Sequence, residues 1–210
     1  LAYLHPKYFI PDPSVLKLLG VKKDEKYMIM RFVSWQATHD VGHKGLTIKT
    51  KIKAVRELSK YAKVFITSEK ILPEELEKYR IMIPIEKIHD ALFYASLFYG
   101  ESATMASECT VLGTPAIYID NVGRGYTDEQ QIKYGAVFNY KETEKEQEKS
   151  IEKGIKILKS SNIKQQWVEK REHLLSNTID VTKWIVDVIE NYPQNIDPTN
   201  SRYKINYLHT

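Results

Sequence analysis

The segment Leu97–Ile119, LFYGESATMASECTVLGTPAIYI, has the pattern of strand, turn, helix, turn and strand. Its first residues are apolar, and Gly100 permits a sharp backbone turn after them. Ser102 is a preferred N-cap residue, and Gly113 suits the left-handed position that follows a last helical turn. Pro115 prevents the helix from continuing into the apolar residues that end the segment. The segment therefore predicts a strand–helix–strand unit, which is typical of a parallel α/β sheet.

The predicted helix carries an apolar stripe and a polar stripe. Side chains repeat at about 100° per residue, and the apolar stripe, which we expect to pack on the sheet, consists of Met105, Ala106, Cys109 and Leu112. The polar stripe consists of Glu101, Thr104 and Glu108, and Glu108 lies about 9 Å along the helix axis from Ser102. The unpaired amides and the positive dipole end at the helix start favour a phosphate. A carboxylate at that distance is within reach of the ribose hydroxyls of the same nucleotide.

The stretch GESATMASECTVLGTPAIYI resembles the nucleotide-binding element in the C-terminal lobe of GT-B-fold proteins, above all the non-hydrolysing UDP-N-acetylglucosamine 2-epimerases. In those epimerases a Ser-Gly-Gly helix start holds the diphosphate, and a later Glu holds the ribose. Ser102 and Glu108 keep the epimerase spacing of six residues. Ala103 and Thr104 replace the two glycines, a departure that bears on how closely the backbone approaches the phosphates. From YLHPKYFIPDPSVL onward, the chain is also similar to an uncharacterised prokaryotic family of glycosyltransferase-like proteins.

The resemblance implies that the chain is the C-terminal lobe of such a protein and that an N-terminal lobe precedes it. We then expect this lobe to bind a nucleotide-diphosphate sugar, with a UDP-sugar favoured. The residues implied for the diphosphate and the ribose are Ser102, Ala103, Thr104 and Glu108. The parent protein is expected to be a glycosyltransferase or a sugar-nucleotide epimerase of cell-surface polysaccharide synthesis, with its catalytic base in the other lobe. This lobe alone is expected to be inactive, and neither a cofactor nor a metal is expected.

A loop rich in chemically capable side chains, WQATHDVGHKGL, follows the predicted strand Tyr27–Ser34. Ligands of open α/β sheets bind at loops in this position. The epimerases have a loop here with His and Arg that contacts donor and substrate. The resemblance therefore implies that His39 and His43 are catalytic candidates and that Lys44 contacts the diphosphate or the sugar. A neutral His can hydrogen-bond a phosphate or move a proton near neutral pH. An ordinary polar surface loop is the alternative.

Two other functions stay open from the sequence. His39, Asp40 and His43 could serve a metal-dependent hydrolase, because imidazole and carboxylate groups are common metal ligands. The spacing of the two histidines suits a metal site only on a helix, however, and Gly42 and Gly45 indicate a loop. The third possibility is a non-catalytic binding or scaffold module that keeps the fold without the ligand chemistry.

A second polar loop, DNVGRGYTDEQ, follows the strand at the end of Leu97–Ile119. Gly123 and Gly125 flank Arg124, which leaves its guanidinium free to pair with a phosphate or a carboxylate. We therefore expect Arg124 to bind substrate. A solvated helix cap is the alternative for the residues that follow it.

Strands and helices alternate about six times along the chain, which predicts a doubly wound parallel sheet. The resemblance implies that this sheet is the Rossmann-like α/β architecture of a single GT-B lobe, and the sequence adds a helical C-terminus. One expected strand spans Arg80–Ile83. The predicted organisation is a linker with a short helix, a nucleotide-sugar-binding core, C-terminal helices and an irregular tail, over residues 1–26, 27–140, 141–192 and 193–210. Three polar loops each follow a strand and should converge on one sheet edge; they are 35–46, 100–104 and 121–130.

Composition limits the remaining choices. The 210 residues are 42% hydrophobic and 28% charged, which predicts a globular chain with a substantial core. The net charge of +4 comes from interspersed signs, so a nucleic-acid partner is not expected. Cys109 is the only cysteine and lies on the apolar stripe, which favours a reduced packing residue and a cytoplasmic location. No apolar run approaches the roughly 20 residues that span a bilayer.

Overall fold

The computed structural model describes residues 1–22, 24–34 and 45–192. Within these ranges five strands form one sheet: β1 (Tyr27–Phe32), β2 (Lys63–Ser68), β3 (Leu97–Gly100), β4 (Ala116–Ile119) and β5 (Val137–Tyr140). Every neighbouring pair is parallel, and the order across the sheet is β2-β1-β3-β4-β5. The expected Rossmann-like parallel sheet is confirmed.

The α-helices of the described ranges connect these strands and continue after the last one. They are α1 (Ser14–Leu18), α2 (Ile48–Leu58), α3 (Glu74–Glu77), α4 (Ile88–Tyr94), α5 (Ala103–Leu112), α6 (Gly125–Ile132), α7 (Glu144–Lys159), α8 (Ile163–Ser176) and α9 (Val181–Glu190). Short 3-10 helices lie at Ala2–Leu4 and Ile85–Lys87. The predicted helical C-terminus is therefore present, while the proposed domain boundaries stay a prediction. No helix in the described ranges combines the length and the apolar character needed to cross a membrane.

Hydrophobic cores lie on both faces of the sheet, as a doubly wound fold requires. Successive side chains of a strand point to opposite faces, so Met28 and Met30 of β1 enter one core and Tyr27 and Ile29 enter the other. The first core is closed by α2 and α7, and the second by α4 and α5. Burial on both faces explains why the strands read as continuous apolar runs in the sequence.

The central helix α5 forms as its local signals predict. The Ser102 hydroxyl accepts a hydrogen bond from the Met105 amide at 3.3 Å and so caps the helix. At the other end Gly113 has φ of 74°, the left-handed conformation that glycine adopts without strain. Three of the four apolar-stripe residues are buried in the core, and the fourth, Met105, packs against it; the buried ones are Ala106, Cys109 and Leu112.

The strand expected over Arg80–Ile83 is wrong. Only Arg80 pairs with β2, through an isolated parallel bridge to Ile66. The chain then turns away, because Pro84 cannot donate to a ladder and leads into the 3-10 helix that follows. Met82, which a continued strand would carry, is exposed and has no core to enter. The described sheet consequently ends at β2 on that side.

The strand order determines where the polar loops lie. β3 is flanked by β1 and β4, and all three strands run in the same direction. The residues that follow these strands therefore lie side by side at the carboxyl edge of the sheet, where ligands of open α/β folds bind. Segments 100–104 and 121–130 both begin there. Segment 35–46 also follows β1 in the sequence. Only its last two residues, 45 and 46, are among the described residues.

The close approach of β3 to β1 yields a stability prediction. A Cβ added at Gly100 would lie 2.3 Å from the carbonyl oxygen of Arg31, so the backbone of β1 would have to move. We expect Gly100→Ala to lower the free energy of unfolding by about 3 kcal/mol, the upper end of the usual overpacking range, as measured by chemical denaturation. Gly125→Ala is the matched control, because no described atom lies within 4 Å of a Cβ added there. Equal losses of stability in the two variants would contradict the packing.

Candidate functional site

The start of α5 presents hydrogen-bond donors at the carboxyl edge of the sheet. Ser102 and Ala103 are half-buried, and Thr104 is exposed. Within the described ranges no acceptor is bonded to the amides of Ala103 and Thr104, as expected for the first helical turn. The Ser102 hydroxyl accepts from Met105, so its proton is available for donation. Together with the helix dipole, these donors can hold an anion.

Glu108 lies one and a half turns further along the same helix, and its two carboxylate oxygens differ in their contacts. The side chain is buried, and its Oε1 accepts a hydrogen bond from the Tyr3 hydroxyl at 2.7 Å. Nε2 of His89 lies 3.2 Å from the same Oε1. Among the described residues none of these contacts uses Oε2. Glu108 therefore keeps one oxygen that can accept hydrogen bonds from a ligand.

The surroundings of Glu108 keep it ionised at neutral pH. Burial raises the pKa of Glu108, but His89 and the Tyr3 hydroxyl lower it more, so that the net shift is below the ordinary glutamate value. Burial, and then the hydrogen bond to the Glu108 carboxylate, raises the pKa of Tyr3 to about 12. At neutral pH the pair is consequently an anionic acceptor and a neutral phenol donor.

Glu101, expected on the polar stripe with Glu108, precedes the helix and has a different role. Its carboxylate accepts hydrogen bonds from the amides of Val33 at 2.9 Å and Leu46 at 2.5 Å. The Lys51 ammonium lies 3.3 Å from the same carboxylate. Val33 and Leu46 stand on either side of residues 35–44, so one buried side chain holds both flanks of that segment beside the start of α5.

The candidate residues of the first polar loop, His39, His43 and Lys44, lie outside the described residues, as does Asp40. Their roles in catalysis, phosphate binding or metal binding stay predictions. Among the residues that the structure does describe, no three His, Cys, Asp or Glu side chains come together as metal ligands.

Arg124 lies on the expected edge, and its guanidinium lies beside a carboxylate of this chain. It is the N-cap residue of α6, after the end of β4. Its Nε lies 4.0 Å from Oδ2 of Asp120, and about a third of its side chain is exposed, at 34%. Asp120 is buried and also accepts a hydrogen bond from the Tyr118 hydroxyl at 2.6 Å. The arginine is therefore a partly exposed cation held beside a fixed carboxylate.

Sequence reasoning missed Tyr3 and His89. From the sequence, His89 is expected to be a structural or surface helix residue, and nothing distinguishes Tyr3. The structure brings both to Glu108, although Tyr3 and Glu108 are 105 positions apart. The only sequence signal is indirect: α4 precedes β3 and can pack beside α5, which places a residue from its first turn near Glu108.

The chain is similar in structure to several solved proteins. No protein-family model and no curated protein sequence matches the chain. A solved spinosyn rhamnosyltransferase matches with a TM-score of 0.56 and 11% identity, over 87% of this chain and 50% of that chain. A calicheamicin glycosyltransferase matches with a TM-score of 0.54 and 14% identity, over 84% and 44%. A UDP-N-acetylglucosamine 2-epimerase matches with a TM-score of 0.50 and 12% identity, over 79% and 42%.

These matches show the fold. The chain has the architecture of one lobe of the GT-B glycosyltransferases and UDP-N-acetylglucosamine 2-epimerases, which confirms the resemblance seen in the sequence. It spans about half, or less, of the length of each matched structure. At identities this low the likeness concerns architecture alone, so ligand and activity have to be argued from the site.

The environment of Glu108 yields a pH prediction. Because its folded pKa lies below the unfolded value of about 4.3, ionised Glu108 contributes stability that is complete above that value. The contribution is lost as the pH falls through the folded pKa. We expect carbon NMR of the Glu108 carboxyl group, assigned with Glu108→Gln, to report a pKa below about 4.3. A higher pKa would show that burial outweighs the Tyr3 and His89 contacts.

Proposed function

We propose that the chain is the nucleotide-diphosphate-sugar-binding lobe of a two-lobed protein, either glycosyltransferase-like or UDP-N-acetylglucosamine 2-epimerase-like. One observation carries the proposal. Within the described residues, the single helix α5 offers amides without a bonded acceptor at its start and, further along, an ionised Glu108 whose contacts with Tyr3 and His89 both use Oε1. The first group suits a diphosphate, and the second suits the hydroxyls of a pentose.

The proposed roles follow from the chemistry of each group. The Ser102 hydroxyl and the amides of Ala103 and Thr104 bind the diphosphate, because they are donors at the positive end of a helix dipole. Glu108 binds the ribose, because a carboxylate is an acceptor for its hydroxyl donors. Arg124 adds a positive charge at the same sheet edge. His39, His43 and Lys44 are proposed to face the phosphate or the sugar, in keeping with the resemblance.

The proposed chemistry is stabilisation of charge on a departing nucleoside diphosphate. Fixed donors and cations that point to a developing negative charge lower its energy without reorganising during the reaction. The general base is proposed to belong to the preceding lobe, so this lobe binds the nucleotide and does not turn it over. Whether the intact protein transfers or epimerises the sugar depends on that lobe.

Other findings support a nucleoside diphosphate as the ligand. One matched structure is the spinosyn rhamnosyltransferase complexed with thymidine diphosphate, with a TM-score of 0.52 and 13% identity. We favour UDP because the resemblance to the epimerases rests on the Ser102 to Glu108 spacing. A role in cell-surface polysaccharide synthesis, in the cytoplasm, completes the proposal. The hydrolase alternative depends on His39, Asp40 and His43, and nothing in the described residues favours it.

The first test is calorimetric titration of the chain with UDP. We expect weak saturable binding and about a tenfold loss of affinity in Glu108→Gln, the order of a hydrogen bond to a charged acceptor. Glu172→Gln, which changes an exposed glutamate of α8, is the matched control and should bind like the parent chain. If UDP binds saturably neither to the chain nor to the intact two-lobed protein, the proposal is wrong. Unchanged affinity in Glu108→Gln would instead favour the non-catalytic module.

A second test separates phosphate from nucleoside contacts. Arg124→Ala is expected to weaken UDP binding by about three- to tenfold and to leave uridine binding unchanged, since the guanidinium acts on the diphosphate. Arg56→Ala, which removes an exposed arginine of α2, serves as the control. Equal effects of Arg124→Ala on UDP and uridine would argue against a phosphate contact.

A further inference from the structure

The side chains of Tyr3 and His89 converge on one oxygen of Glu108. Tyr3 Oη donates to Oε1 at 2.7 Å, and His89 Nε2 lies 3.2 Å from that oxygen. A carboxylate oxygen has two acceptor sites, so these two groups together occupy Oε1. Within the described residues, Oε2 has no such contact, and it is the oxygen left for a ligand.

The two groups that contact Oε1 also hold each other in place. The rings of Tyr3 and His89 meet edge to face, with centroids 5.5 Å apart and planes at 65°. Phe9 adds a second edge-to-face ring contact, since its ring centroid lies 6.4 Å from that of His89 with the planes at 82°. The imidazole is thus packed against two aromatic rings from the N-terminal segment.

We propose that Tyr3 and His89 are positioning residues, which fix the Glu108 carboxylate so that Oε2 is presented to the ribose hydroxyls. This inference rests on the proposed function. A free glutamate side chain loses rotamer freedom when it binds a ligand, and the loss is smaller when the side chain is already fixed. Tyr3 is suited to this role because its phenol stays protonated and adds no charge beside the carboxylate. Both residues act through Glu108 and not on the nucleotide.

The test compares a nucleotide that has ribose hydroxyls with one that lacks them. UDP and 2′,3′-dideoxy-UDP are titrated into the chain and its variants by calorimetry. We expect Tyr3→Phe to weaken UDP binding by about three- to tenfold and to leave dideoxy-UDP binding unchanged, as for Glu108→Gln. His89→Leu should behave like Tyr3→Phe, and His89→Gln should recover part of the affinity because it keeps an N–H donor.

Tyr8→Phe is the matched control for Tyr3→Phe. The Tyr8 hydroxyl also contacts a carboxylate, at 2.9 Å from Oδ2 of Asp180, and it belongs to the same N-terminal segment. Its removal should change neither affinity. As an independent measurement, Tyr3→Phe should raise the pKa of Glu108, because it removes a hydrogen bond that lowers this pKa.

Each other outcome overturns the inference in a recognisable way. If Glu108→Gln weakens UDP binding and Tyr3→Phe does not, the positioning role is wrong and the proposed function stands. If Tyr3→Phe weakens UDP and dideoxy-UDP equally, Tyr3 acts on stability alone. If Tyr3→Phe tightens UDP binding, the Tyr3 phenol competes with the ribose for Glu108 and does not position the Glu108 carboxylate. If UDP binds neither to the parent chain nor to the intact two-lobed protein, the proposed function and this inference fail together.

Discussion

The close pairing of β3 with β1 is the constraint on which the site depends. At Gly100 the two backbones approach so closely that a Cβ would contact the Arg31 carbonyl. The pairing continues into the next residue, since the Glu101 amide donates to the Arg31 oxygen at 3.0 Å. From there the Glu101 side chain reaches Val33 and Leu46. These contacts of Glu101 therefore fix the start of α5 relative to the end of β1.

Beside this fixed start, the helix α5 carries hydrogen-bond donors at one position and an acceptor at another. The first turn supplies donors and a positive dipole end, whereas Glu108 supplies an acceptor that its neighbours keep ionised. A nucleoside diphosphate has the opposite pattern, with an anionic diphosphate and a pentose that donates hydrogen bonds. Ala103 and Thr104 stand at the start of α5, where the epimerases of the resemblance have two glycines.

Much of the fold could be predicted because its signals are local. A cap at Ser102 and a left-handed residue at Gly113 define a helix within a few residues of each end, and parallel strands buried on both faces read as apolar runs. The prediction of a strand at Arg80–Ile83 failed because strand pairing depends on the position of a neighbouring strand and not on apolar character alone. Helical spacing predicts Glu101 on the same stripe as Glu108, yet Glu101 lies before the start of the helix and instead binds Val33 and Leu46.

The candidate site was less predictable, for a related reason. Ser102 and Glu108 follow from spacing within one helix, but the contacts of Glu108 come from the N-terminal segment and from α4. Such contacts depend on how elements pack, which no local pattern encodes. Arg124 illustrates the same limit. The glycines beside it predict its place in the loop, but no local pattern predicts that its guanidinium lies near the Asp120 carboxylate.

The central claim is that the amides opening α5 bind phosphate while Glu108 binds the attached pentose. Proton–nitrogen NMR spectra of the backbone amides and carbon NMR spectra of the Glu108 carboxyl group, both recorded during a UDP titration, test it most directly. The account predicts that the largest shift changes occur at the amides of Ala103 and Thr104, together with a change at the Glu108 carboxyl carbon. Saturable changes that leave these three groups unaffected and centre on another part of the chain would contradict it.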